Sequence, residues 1–135
     1  MASGLKDLRL WQEAVALAAD VVRAVRTSSR RETKAFTDEL MSAATAVAAG
    51  IADAHGRYLP AEQQASYRET RRALAILETR LAIARQAELI SAATLAQCTN
   101  RITNVARLLS GYLGHLERML EGDGKEPPAR ARGAA

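Results

Sequence analysis

Hydrophobic positions recur at steps of three and four along four stretches of the chain, and no stretch alternates as a strand would. In the first, Leu8, Trp11, Val15, Ala18, Val22 and Val25 share one helical face. In the last, Leu95, Cys98, Ile102, Val105, Leu109, Tyr112, Leu116 and Met119 do the same. Between them lie Leu40, Ala44, Val47, Ile51 and Ala54, and then Tyr67, Thr70, Leu74, Leu77, Leu81 and Ala84. The spacing predicts helices over about 5–27, up to 54, 60–87 and up to 120.

Helix 1 carries a second stripe, Leu10, Ala14, Leu17, Val21 and Ala24, about 100° round from the first. Such a wide apolar face suits two neighbours in one bundle, or the bundle on one side and another subunit on the other. The candidate subunit-interface residues are Leu10, Leu17, Val21 and Trp11. Helix 3 also has a second stripe, Ala73, Ile76, Ile83, Ala87 and Ile90, interrupted by Arg80.

The breaks between stretches carry helix-end chemistry. Ser29 with Glu32 forms a capping-box pattern ahead of helix 2. Gly56 suits a left-handed helix end, Pro60 a first helical position and Ser91 an N-cap. Short connections make successive helices antiparallel neighbours. The expected fold is all-α: an up-down-up-down antiparallel four-helix bundle over 1–121, with a disordered C-terminal tail over 122–135. Gly111 and Gly114 interrupt helix 4, which a close helix contact or a tolerated weak spot would explain. In the tail, Arg130 and Arg132 admit electrostatic contact with nucleic acid, or no role at all.

Composition narrows the class. A chain of 135 residues buries a core without disulfide or metal staples. Its one cysteine, Cys98, cannot form an internal disulfide and sits on an apolar stripe, as a buried structural thiol does. No basic-then-apolar leader and no transmembrane-length run is present, so the expected location is the cytoplasm, with no membrane partner.

Catalytic and metal chemistry finds little support. Di-metal bundles place a glutamate three residues before a histidine, whereas Ala52 precedes His55 and Tyr112 precedes His115. No P-loop, dinucleotide-binding glycine pattern or nucleophile elbow occurs. No metal, cofactor or enzymatic activity is expected.

The net charge is +4, and arginine supplies 16 of the 19 basic residues. Arginine suits phosphate and carboxylate recognition. Two groups stand out: Arg57, Arg68, Arg71 and Arg72 near the helix 2–3 connection, and Arg23, Arg26, Arg30 and Arg31 at the end of helix 1. An up-down-up-down path puts these groups at opposite ends of the bundle. They are candidate contacts to RNA or DNA phosphates. The alternative is a solvated or ion-paired set, with Glu69, Glu32 and Asp20 as available partners.

Three segments, in order, resemble a known bacterial family. Leu8-Arg9-Leu10-Trp11-Gln12-Glu13-Ala14 is similar to its opening, and Ala46 through Arg57 to a segment that runs Ser-Ile-Pro-x-Asn-Ile-Ala-Glu-Gly-x-Gly-Arg. Leu74 through Thr79 resembles its Leu-Ala-Glu-Leu-Glu-Thr segment. The family is the four-helix-bundle group named after the 23S rRNA intervening-sequence protein. Gly50 stands for its Asn, Asp53 for Glu, Ala54 for Gly and Ile76 for the first Glu of the third segment, so the polar signature is thinned while the apolar positions remain.

The resemblance implies a small non-enzymatic bundle that assembles into a homopentameric ring. It also implies kinship with the accessory variability protein of diversity-generating retroelements, a basic pentamer that binds its reverse transcriptase and nucleic acid. The expected function is therefore a non-catalytic oligomeric ring that binds RNA or DNA, or a protein carrying them such as a reverse transcriptase. The alternative is a structural oligomer or helix-recognition module that binds a partner protein without nucleic acid.

Overall fold

A computed structural model describes residues 4–27 and 30–124, with side chains described as far as residue 122. Four helices account for most of it: α1 (Arg9–Arg26), α2 (Lys34–His55), α3 (Pro60–Gln86) and α4 (Ala92–Gly124). Short 3-10 turns, Leu5–Asp7 and Arg31–Thr33, lead into α1 and α2. Among the described residues there is no strand. The chief contacts join α1 to α2, α2 to α3, α3 to α4 and α4 back to α1. The helices therefore form a closed square of antiparallel neighbours, with α1 and α3 at opposite corners. None of the helices is long and apolar enough to cross a membrane among the described residues.

The stripes of α2 and α3 are buried as the period predicts. Leu40, Ala44, Val47, Ile51, Leu77, Leu81 and Ala84 have no exposed surface. In α4 the core line runs through Leu113 rather than Tyr112. The Tyr112 ring moves to the edge and stacks on Tyr67, with centroids 5.7 Å apart. Such a pair adds about 1 kcal/mol beyond the area it buries.

Helix α1 resolves its two stripes, and it corrects an expectation. Leu10, Leu17 and Val21, candidates for a subunit interface, are completely enclosed by the other helices of the same chain. No surface of theirs remains for a second copy. Of the other stripe, Val15 and Val22 are exposed and Trp11 and Ala18 half-buried, while Leu8 and Val25 at its two ends join the core. Only Trp11, of the four interface candidates, retains accessible surface.

Helix ends follow local chemistry, with one reversal. Pro60 opens α3, and the Ser91 hydroxyl accepts the Thr94 amide at 3.1 Å as the α4 N-cap. Gly56 ends α2 at φ −81°, in right-handed rather than left-handed conformation. The chain turns away because Leu59, ahead of Pro60, is extended. The left-handed residue is instead Glu88, at φ 65° after α3. Around it Leu89 N–H donates to Ala84 O at 2.8 Å and Glu88 N–H to Arg85 O at 3.0 Å, a Schellman ending without its usual glycine.

Ser29 of the expected capping box lies outside the described residues, as does the tail from residue 125 with Arg130 and Arg132. Ahead of α2, Thr33 Oγ1 accepts the Arg30 amide at 3.3 Å and closes the 3-10 turn on itself. Helix α4 continues to Gly124, past the expected end near Leu120, since extending a formed helix adds a hydrogen bond per residue fixed. No other helix approaches Gly111 or Gly114, so a close contact within this chain is not their explanation.

Candidate functional site

An open groove of about 650 Å³ lies between α2 and α3. Its lining draws heavily on the segment Ala46–Arg57, whose small residues bring the two helices close. Ala46, Ala49 and Gly50 of α2 face Ala65 and Ala73 of α3. At Gly50 the approach is closest: a Cβ there would collide with Thr70 Oγ1. Thr70 is buried and its hydroxyl donates to Ser66 O at 3.0 Å, which holds the side chain in place.

Polar groups rim this groove. Ser66 Oγ donates to Asp53 Oδ2 at 2.7 Å across the two helices. Arg57 Nε and Nη2 donate to the same carboxylate at 3.2 and 3.1 Å. The Ser66 hydrogen bond, then the Arg57 hydrogen bond and charge, hold the Asp53 carboxyl below its ordinary range. Arg57 also lies 4.0 Å from Glu62. The lining thus carries three carboxylates, Asp53, Glu62 and Glu69, against one guanidinium, Arg57. Such a groove repels phosphate and attracts cationic groups.

The structure divides the candidate arginines. Arg57 is committed to Asp53 and Glu62 as above, and Arg72 is ion-paired with Glu69. Arg68 and Arg71 turn to the other side of α3. There they line a cleft against α4 together with Gln64, Ser110, Leu113, Gly114 and Glu117. No carboxylate pairs with either among the described residues. Arg23 is bonded to Asp20 at 2.6 Å, while Arg26 is exposed in the last turn of α1. Arg30 sits with Thr27, Glu32, Thr33, Glu88 and Leu89 in a crevice at the far end of the bundle. Arg57 is at the α2–α3 end, opposite the Arg26 and Arg30 end of the bundle, while Arg68, Arg71 and Arg72 lie toward the middle of α3.

An ionic network around the buried Asp20 joins α1 to α4, with Arg101 and Glu13 as members that sequence reasoning did not assign. Asp20 is nearly enclosed, its carboxylate receiving Arg23 Nη2 at 2.6 Å and Arg101 Nε at 3.0 Å. Arg101 Nη1 also lies 3.5 Å from Glu13 Oε1, a buried oxygen without a hydrogen-bond partner. The hydrogen bond to Asp20 pushes the Arg101 guanidinium pKa further up. A signal was present: Asp20 falls three residues after Leu17, in step with the stripe that is buried. Cys98 is buried nearby, and burial, then the Asp20 charge, pushes its thiol pKa up, the reverse of an activated nucleophile.

Burial also raises the Tyr67 phenol, with the neighbouring Tyr112 adding to the effect, to about 12. His55 is half-buried at the end of α2 and His115 is exposed on α4. Among the described residues no three His, Cys, Asp or Glu side chains are grouped to hold a metal ion.

Compared with known proteins, the chain matches none of the curated sequences. A family model does match it, over residues 6–111, a span that takes in the α1 opening, the Ala46–Arg57 groove wall and most of α4. On that match, which covers most of the chain, the protein belongs to the 23S rRNA-intervening sequence protein family.

Proposed function

We propose that the protein is a non-catalytic bundle that assembles into a homo-oligomeric ring, a pentamer, and binds nucleic acid or a nucleic-acid-associated protein such as a reverse transcriptase. The observation that carries the ring is a pair of apolar outer surfaces on opposite corners of the bundle. On α1, Val15 and Val22 are 39% and 36% exposed beside the partly covered Trp11 and Ala18. On α3, Ile76 and Ile83 are 46% and 49% exposed. Two different patches on one subunit make a heterologous contact, and repeated heterologous contacts close into a ring when the rotation permits.

The nucleic-acid half of the reading is supported by the family, whose description concerns 23S rRNA, and by the excess of arginine. A native mass measurement tests the assembly. Val15→Asp with Val22→Asp should yield a folded monomer, because those side chains lie outside the core. Leu17→Asp should abolish folding instead. A wild-type chain that remains monomeric at high concentration overturns the ring. Binding to a polyanionic column that weakens steeply with salt supports the second half.

The groove between α2 and α3 favours a second reading, a partner-protein module without nucleic acid. Its alanine and glycine floor admits a helix closely, and its carboxylates suit a basic one. Charge reversal at Arg68 and Arg71 separates the two, since capture of a basic helix survives it and phosphate binding does not.

A further inference from the structure

Resting on the nucleic-acid reading, we propose that the backbone of RNA or DNA docks in the cleft between α3 and α4, with Arg68 and Arg71 as its phosphate contacts. The cleft holds about 240 Å³. Arg68 and Arg71 are three residues apart and exposed on one side of α3. Both lack a carboxylate partner among the described residues, whereas Arg57, Arg72 and Arg23 each have one. An arginine already neutralised by a neighbour must lose that pair before it serves a phosphate, and these two need not.

The opposite wall suits the same ligand. Ser110, Gly114 and Glu117 line it at helical spacing on α4. The Ser110 hydroxyl can donate to a phosphate oxygen. A Cβ on Gly111 would meet nothing within 4 Å, and one on Gly114 only the Arg118 guanidinium at 3.4 Å. Each glycine weakens an exposed helix by about 1 kcal/mol against alanine. Gly111 lies outside the cleft; packing within the chain gives no reason for Gly114, while a sugar-phosphate strand in the cleft needs the room.

Two features define what the cleft reads. No aromatic ring lines it, because Tyr112 is stacked on Tyr67. Recognition is therefore of the backbone and independent of base sequence. Glu117 is the one acidic group in the lining and opposes the phosphate.

Fluorescence anisotropy on the full chain tests this, using a labelled oligouridine and a mixed-sequence DNA duplex at low salt. Arg68→Gln with Arg71→Gln should weaken binding about tenfold or more, and should make the salt dependence shallower by about 1.4 for a single strand, the share of two phosphates. Glu117→Gln should tighten binding. Gly114→Leu, which keeps every charge, should weaken it by filling the cleft. Arg57→Gln with Arg72→Gln should cost less than the Arg68 and Arg71 pair. If the wild type binds but that order is reversed, or Gly114→Leu has no effect, the cleft assignment falls and the function stands. If the wild type binds neither probe at low salt, the nucleic-acid reading falls, and the cleft with it.

Discussion

Gly50 of α2 and Thr70 of α3 meet where no side chain fits between them: a Cβ on Gly50 would overlap the Thr70 hydroxyl. Thr70 is buried and bonded to Ser66 O, so it cannot swing away freely. Gly50→Ala gains helix propensity but overpacks this contact. The expected result is a net loss of about 1–2 kcal/mol in urea unfolding. Thr70→Ala in the same chain should recover part of that loss. Equal stability of Gly50→Ala and the wild type would mean that the helices can separate without penalty.

The Asp20 carboxylate depends on Arg101 from the facing helix. Arg101→Leu leaves a buried charge with Arg23 alone, at an expected cost of about 3 kcal/mol. Asp20→Leu combined with Arg101→Leu should be less destabilising than Arg101→Leu by itself, because the stranded charge is gone. A double-mutant cycle in urea reads the coupling, and strict additivity would show that the pair acts as two independent surface groups.

Glu88 holds a left-handed conformation, which disfavours any residue with a Cβ. Glu88→Gly should raise stability by up to about 1 kcal/mol. Gly56→Ala should be tolerated, since the Gly56 φ of −81° is open to all residues. Thermal melting of the two variants separates these cases, and a large loss at Gly56→Ala would contradict the observed turn.

Two groups give the stability its pH dependence in opposite ways. Tyr67 has its phenol raised from the usual 10 to about 12, chiefly by burial, so folding favours the neutral form. Its contribution is complete below pH 10 and is lost as the pH rises toward 12. Asp53 is displaced downward, so its contribution is present above the ordinary 3.8 and disappears as the pH falls below it. Absorbance titration of Tyr67→Phe should lack the step near 12. Ser66→Ala should move the Asp53 carbon-13 titration upward, and an unmoved midpoint would remove Ser66 as its main cause.

Much of the bundle is legible in the order of residues. The steps of three and four marked all four helices, and in α3 the stripe without a charged interruption is the buried one, whereas the rival broken by Arg80 leaves Ile76 and Ile83 exposed. Pro60 and Ser91 act through their own backbone neighbours, so their roles as helix starters needed no knowledge of the rest. Gly56 and Glu88 show the limit: the left-handed turn went to a glutamate, because the chain leaving α3 had to close on Ala84 and Arg85 whatever residue stood there.

What the linear order could not settle was the rotation of α1 and the partners of Arg101 on the facing helix. The two α1 stripes are similarly apolar. The stripe of Leu10, Leu17 and Val21 is inside, and the same rotation sets Glu13 and Asp20 against Arg101, 81 residues beyond Asp20. Arg57 and Arg72 differ already in sequence from Arg68 and Arg71: Asp53 stands four residues before Arg57 and Glu69 three before Arg72, whereas no carboxylate lies three or four residues from Arg68 or Arg71. Only the placement of α1 against α4 joins Arg101 to Glu13 and Asp20. Helical period is a local property of the backbone, written in nearest neighbours. The meeting of Arg101 with Glu13 and Asp20 depends on distances across helices, which exist only once the core has chosen how the helices face one another.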